Sequence, residues 1–348
     1  MRCFLIMLSL LGLVACEGNS YRVQSIALVP LKTFPLEGIS VRAMTLIGDN
    51  VGFAGSDTTY GLIFTQNQTM YFSNLKNVGV ISDFRAIDNT TNKVFMLSIG
   101  NPALIYKTEA NAMKEVYRES HERVFYDGLR FLDDRVGIAV GDPVEEGRMS
   151  VVITNNGGES WIKKPTSQSP KLAQGEVLFA ASNSSIAVQG SKIWVVTGGT
   201  KSHVFFSEDK GVNWHSSVLP LQQGSASQGA FSIDFFDKKH GIVVGGDYQH
   251  PAERKGTVAI TADGGKTWQR VPESQSIGYA SCVKYIPQAK GYGVVAASPN
   301  GIFFSNNGGF SWQKVSDKVC HALLFADERT LVASGDGEIT LFRVTEKR

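Results

Sequence analysis

Three cations stand at one common offset in this 348-residue chain: Arg148, Lys201 and Lys255 each lie six residues before Thr154, Ser207 and Thr261, which end short apolar runs. If those runs are equivalent strands of successive sheet units, the three cations are neighbours and form an arc. The two longest loops of this class, Asp142-Pro-Val-Glu-Glu-Gly-Arg148 and Asp247-Tyr-Gln-His-Pro-Ala-Glu-Arg-Lys255, flank the arc and add Tyr248, His250 and Arg254. Cations beside the carboxylates of Asp142 and Asp247 suit an acidic protein segment or an anionic glycan, since charge-assisted hydrogen bonds and complementary potential both favour such a partner. Catalytic chemistry is harder to build. The six His are scattered and no Cys/His cluster has ligand spacing, so no metal is expected. There is no nucleophile elbow, phosphate loop or dinucleotide fingerprint, and no cofactor is expected. Asp142 and Asp247 could mimic the paired acids of an inverting glycoside hydrolase. Yet Asp ends four similar phrases, Ala54-Gly-Ser-Asp57, Val140-Gly-Asp142, Val244-Gly-Gly-Asp247 and Ser334-Gly-Asp336, where it also serves as a turn former. The residues favour a binding protein over an enzyme, with glycoside hydrolysis as the leading enzymatic alternative.

The elements that must position these residues are marked by a recurring phrase. Its copies are Thr154-Asn-Asn-Gly-Gly-Glu-Ser-Trp161, Ser207-Glu-Asp-Lys-Gly-Val-Asn-Trp214, Thr261-Ala-Asp-Gly-Gly-Lys-Thr-Trp268 and Ser305-Asn-Asn-Gly-Gly-Phe-Ser-Trp312. Each follows an apolar run that reads as a strand. Asn156, Asp209, Asp263 and Asn307 can accept from their own downstream amides, and Gly158, Gly211, Gly265 and Gly309 permit positive φ. Trp161, Trp214, Trp268 and Trp312 open the next strand and bring a ring that must be buried. The phrase therefore closes a hairpin. It resembles the Asp-box, or BNR, repeat of sialidases and other β-propellers, in which the box is structural and lies on the outer hairpin of a blade, away from the ligand face.

The spacing of the Trp residues suits four-stranded blades with variable loops. Weaker copies precede them at Leu62-Ile-Phe-Thr65 and Leu104-Ile-Tyr-Lys-Thr108. After the last copy, Ala322-Leu-Leu-Phe325, Thr330-Leu-Val-Ala333 and Ile339-Thr-Leu-Phe-Arg-Val344 supply three further strands, one short of a blade. The unassigned run Ser25-Ile-Ala-Leu-Val-Pro-Leu31 can supply the fourth. The expected fold is an all-β, seven-bladed propeller closed by the N-terminal strand, with six blades as the alternative.

The 36 Gly, 20 Phe and 19% charged residues fit a turn-rich β protein, and a net charge of +2 gives no field that would draw nucleic acid. Residues 1–15 read as a signal peptide, with Arg2, an apolar stretch from Phe4 to Val14, and the phrase Leu13-Val-Ala-Cys16. That phrase resembles a bacterial lipobox, which implies lipidation of Cys16. Residues 16–23 are then a short tether and 24–348 a single propeller domain, held at the cell envelope, on the outer membrane facing the periplasm. Cys282 and Cys320 fall at the starts of adjacent innermost strands with a one-residue offset, which leaves both a disulfide and two free thiols open.

The form Gly-x-Ala-Val-Gly, a loop, then strand and Trp-ended turn occurs at Gly137-Ile-Ala-Val-Gly-Asp142 with Val151 to Trp161. It recurs at Gly241-Ile-Val-Val-Gly-Gly-Asp247 with Thr261 to Trp268. This is similar to the photosystem II stability/assembly factor-like family of propellers, over about residues 40 to 343. The resemblance implies a non-catalytic propeller that binds a protein or peptide in assembly of a membrane complex. A glycan-binding or glycan-hydrolysing propeller of the sialidase type is the alternative.

Overall fold

The computed structural model describes residues 23–75, 82–110, 112–145 and 147–346. The Cys16 lipidation site and the signal peptide lie outside the described residues. Short runs rich in Val, Ile and Phe, broken by Gly, Asn and Asp, form strands joined by tight turns. The only helical elements among the described residues are two three-residue 3-10 turns, Thr166–Gln168 and Glu273–Gln275.

The strands make six antiparallel sheets. Four have four strands each, running in chain order from Phe84–Asn89, Tyr126–Phe131, Ile186–Gln189 and Cys282–Tyr285. A fifth begins at Gln228–Phe235 and gains two two-residue strands, Glu176–Val177 and Gly198–Gly199, along that first strand. The sixth has seven strands, because Ile26–Ile47 serves two neighbours. Its first half pairs with Asp336–Glu346, from Ile26↔Glu346 to Pro35↔Glu338, and its second half pairs with Asn50–Gly55. The N-terminal run thus pairs with the C-terminal strand, as the sequence implies. Pro30 and Pro35 are tolerated there because the other edge of this half-strand is unpaired, and the ladder shifts beside each.

Innermost strands pack against one another in chain order, and Ala322–Asp327 returns to pack on Ile26–Ile47. Between neighbouring sheets the core is apolar and ring-rich. Phe95, Phe131 and Trp161 from two sheets meet at centroid distances of 4.6, 5.6 and 6.2 Å. Trp194 stacks on Phe235 at 3.9 Å. Each such side chain removed from water contributes about 1.5–3 kcal/mol.

The four Trp-ended phrases fold as the sequence predicts. In each, the leading hydroxyl donates to the Asn or Asp carboxyl or amide oxygen two residues on, at 2.8–2.9 Å, and accepts from the amide of the box glycine. The same Asn or Asp oxygen then accepts from the amide before the Trp. Trp214, Trp268 and Trp312 donate their indole N–H to the carbonyl of Gly211, Gly265 and Gly309, whereas Trp161 is buried without a partner for its N–H. The weaker copies also form hairpins, Thr59–Phe64 with Thr69–Asn74 and Ala103–Glu109 with Ala112–Glu119.

Candidate functional site

The strand ladders place the sequence-derived cations at one end of the sheets. Gly137 pairs with Thr154, Ile193 with Ser207 and Gly241 with Thr261, so the loops bearing Arg148, Lys201 and Lys255 emerge at the strand ends opposite the boxes. Arg148 is half-buried and donates from Nη1 to the Ser169 carbonyl at 2.7 Å. Lys201, Arg254 and Lys255 are exposed. Asp247 is buried and caps its own loop, accepting from the Gln249 amide at 2.9 Å and pairing with His250 Nδ1 at 3.1 Å. Burial opposes its ionisation, but the His250 and Ser227 side chains and the Gln249 amide outweigh this and hold its carboxyl at about 2. Asp247 thus has the turn-forming role of Asp after Gly, and it also accepts from Gln228 Nε2 at 3.2 Å.

A cavity of about 580 Å³ lies at the same end, walled by the starts of the innermost strands. Of the sequence-derived residues, Asp142 and Tyr248 line it; Arg148, Lys201, Arg254, Lys255, Asp247 and His250 do not. Its remaining titratable wall includes Arg42, Arg85, Asp127 and His321. These are placed by a recurring backbone feature. Four innermost strands carry a bulge near this end, and the residues left out of the ladder are Arg42, Arg85, Asp127 and Phe231. A bulge re-aims a side chain, and all four line the cavity. The sequence signal was available as apolar-Arg-Ala at both Val41-Arg42-Ala43 and Phe84-Arg85-Ala86.

The two guanidinium groups are only loosely engaged. Arg42 reaches the Ala181 carbonyl at 3.5 Å, and its Nε is buried without a partner. Arg85 reaches the Ala180 carbonyl at 3.3 Å and Asp83 at 3.6 Å. Burial, then the charge of Arg85, lowers the Arg42 pKa. His321 faces them and lies 3.0 Å from Asp336; burial and then Arg42 lower its pKa. On the same lining, Phe179 and Phe231 stack at 3.9 Å, with Tyr248 and Tyr279 set edge-on around Phe231. Asp142 accepts from the Leu178 amide at 2.8 Å, and burial pushes its carboxyl up to about 6. The cavity can therefore take a ligand with an anionic group and an apolar or ring-bearing portion.

Among the described residues, no group of three or more His, Cys, Asp or Glu could hold a metal ion, and no helix is long and apolar enough to cross a membrane. Cys282 and Cys320 are buried free thiols; Cys282 Sγ accepts from the Leu323 amide at 3.4 Å, and burial raises the Cys320 thiol.

Fold and site together define an all-β protein of propeller type with a charged cavity at one end of its sheets. No family model matches the chain, and no curated protein matches it in sequence. Among solved structures, YCF48 bound to D1 peptide superposes with a TM-score of 0.65 at 14% identity, over 92% of this chain and 100% of that one. YCF48 from Cyanidioschyzon merolae gives 0.63 at 13%, over 92% and 99%. The WD40 repeats of RRP9 give 0.62 at 13%, over 92% and 100%. At such identity the likeness is one of fold.

Proposed function

We propose that this chain is a seven-bladed propeller that binds a protein or peptide segment at the cavity walled by Arg42 and Arg85, without catalysis. Support for the blade count comes from Ile26–Ile47: dividing the seven-stranded sheet at its ladder shift between Pro35 and Ser40 yields two four-stranded units that share this strand. The other five sheets each supply one more. Arg148, Lys201, Arg254 and Lys255, with Asp247 and His250, form an outer rim that steers the partner. Cys16 carries a lipid that holds the propeller at the outer membrane, on its periplasmic side, where it serves assembly or stability of a membrane complex.

The observation that carries the binding reading is the pair of loosely engaged arginines on one cavity wall. A guanidinium held by one carbonyl at 3.3 or 3.5 Å, with a distant carboxylate at 3.6 Å in the case of Arg85, retains donors for a carboxylate, and bidentate capture is what its geometry suits best. A solved neighbour of this fold bears a bound peptide, which agrees with the same use here. The alternative of a glycan ligand draws on the aromatic wall beside two acids.

Selection from a random-sequence peptide display library separates the readings. Peptides enriched on the native chain should lose at least about tenfold in affinity on an Arg42→Ala/Arg85→Ala variant, as loss of charge-assisted bonds requires. Replacing Arg148, Lys201 and Lys255 together by Glu should also weaken capture and reduce its salt dependence. Peptides indifferent to the arginines, or turnover of any glycoside in a parallel panel, would overturn the proposal.

A further inference from the structure

The cavity is not uniformly cationic. Along the innermost strands in chain order, the bulge residues run Arg42, Arg85, Asp127 and then Phe231, so an acid follows the two arginines on the cavity wall. Asp127 is wholly buried, and neither carboxyl oxygen has a hydrogen-bond partner of good geometry. The nearby Asp142 amide is committed to the Phe125 carbonyl at 2.8 Å. Such an orphaned buried carboxyl is costly in its ionised form unless something pairs with it. Burial, then the neighbouring Asp142, holds its pKa well above the usual carboxylate range, and only Arg85 offers an opposing charge. Asp142 is the second member of the pair, partly exposed at the cavity wall, with the Leu178 amide on one oxygen. The remaining titratable groups around the cavity are Arg42, His321, Tyr248, Tyr279 and the Cys320 thiol.

We propose that Asp127 and Asp142 together seat a Lys or Arg side chain of the bound segment, so that this cavity selects a segment of mixed charge. Its carboxylate rests on Arg42 and Arg85, and its cation sits on the acid pair. This inference depends on the peptide-binding reading above and narrows the acidic segment expected from sequence. Charge complementarity is what favours it. A purely acidic segment would bring negative charge against two acids, and a purely basic one would meet two arginines; only a mixed segment satisfies both walls. With the cavity empty, the acid pair holds a proton, because the wholly buried, unpartnered Asp127 carboxyl resists ionisation. An arriving ammonium or guanidinium stabilises the ionised pair, so that proton leaves to solvent as the cation takes its place.

The full chain is tested by fluorescence polarisation with three labelled peptides of equal length, bearing only Glu, only Lys, or both as adjacent residues. The mixed peptide should bind about tenfold more tightly than the acidic one, and the basic one most weakly. Asp127→Asn/Asp142→Asn, nearly isosteric with the native pair, should bring the mixed peptide down to the level of the acidic one and tighten the acidic peptide. Calorimetry at pH 6 in two buffers of different ionisation enthalpy should show about one proton released with the mixed peptide, and the double variant should release none. Asp142→Asn alone provides the same comparison if the double variant fails to fold. An acidic peptide that binds as well as the mixed one, or a double variant that weakens all three peptides alike, would overturn the inference. Indifference of every peptide to Arg42→Ala/Arg85→Ala would instead overturn the underlying site.

Discussion

The box glycines join neighbouring sheets as well as closing their own hairpins, and Gly158 gives the most specific test. It adopts φ +77°, and a Cβ built there would stand 2.2 Å from Cε1 and 2.3 Å from Cζ of Phe95, in the strand Val94–Ser98 of the preceding sheet. The Phe95 ring cannot step aside. It is wholly buried, with Phe131 at 4.6 Å and Trp161 at 6.2 Å between centroids. Gly158→Ala therefore carries two costs, about 1–2 kcal/mol for a side chain in the left-handed region and about 1–3 kcal/mol for overpacking. Gly38 isolates the first, because it has φ +76° and nothing within 4 Å of its Cβ position. Gly38→Ala should cost only the backbone part. Phe95→Leu opens the contact, so in that background Gly158→Ala should fall toward the Gly38→Ala value, with a coupling of about 1–3 kcal/mol. Equilibrium guanidinium unfolding of the four variants and the native chain gives all the terms. A Gly158→Ala cost no larger than that of Gly38→Ala, or strict additivity with Phe95→Leu, would refute the inter-sheet contact.

Three further outcomes follow from the same geometry. Lys107 is buried to 1% side-chain exposure and pairs with the half-exposed Glu159, so Glu159→Gln should lower the unfolding midpoint while Lys107→Met/Glu159→Gln recovers most of the loss. The Asp142 carboxyl is raised from 3.8 to about 6 in the fold, so its contribution to stability is complete below about pH 4 and is lost as pH rises through 6. Roughly 3 kcal/mol of stability from Asp142 should disappear over that window, and Asp142→Asn should reduce the slope in pH-dependent melts by that share, leaving the part due to buried Asp127. Thr261→Val deletes a hydroxyl that donates to Asp263 and accepts from the Gly265 amide, and should cost about 1–2 kcal/mol without altering peptide binding.

The hairpins were legible because their hydrogen bonds close within eight residues, from hydroxyl to Asn or Asp to the amide before the Trp. Local chemistry of that kind survives any change in the wider fold. The pairing of the N-terminal run with the last sheet was legible from a shortfall of one strand. The offset of Arg148, Lys201 and Lys255 from the boxes placed them at the correct strand ends. It could not give distance from the molecular axis, and Arg148 turns to the Ser169 carbonyl while the cavity lies elsewhere. Arg42, Arg85 and Asp127 cannot be placed at the cavity from the sequence, because regular alternation does not say where a ladder skips a residue. Their bulges depend on pairing between strands, and the only trace in sequence is the short apolar-Arg-Ala phrase, whose meaning emerges once two copies are seen to start innermost strands.

The central claim, that a peptide segment seats in the arginine-walled cavity, is tested most directly by site-specific photocrosslinking. A photoreactive phenylalanine analogue replaces Tyr248 on the cavity wall in one variant and exposed Lys239, whose carbonyl accepts from the box residue Gly264, in another. With the display-selected peptide bound, position 248 should form the covalent adduct and position 239 should not, and Arg42→Ala/Arg85→Ala should abolish it. An adduct at 239 with none at 248 would contradict the account.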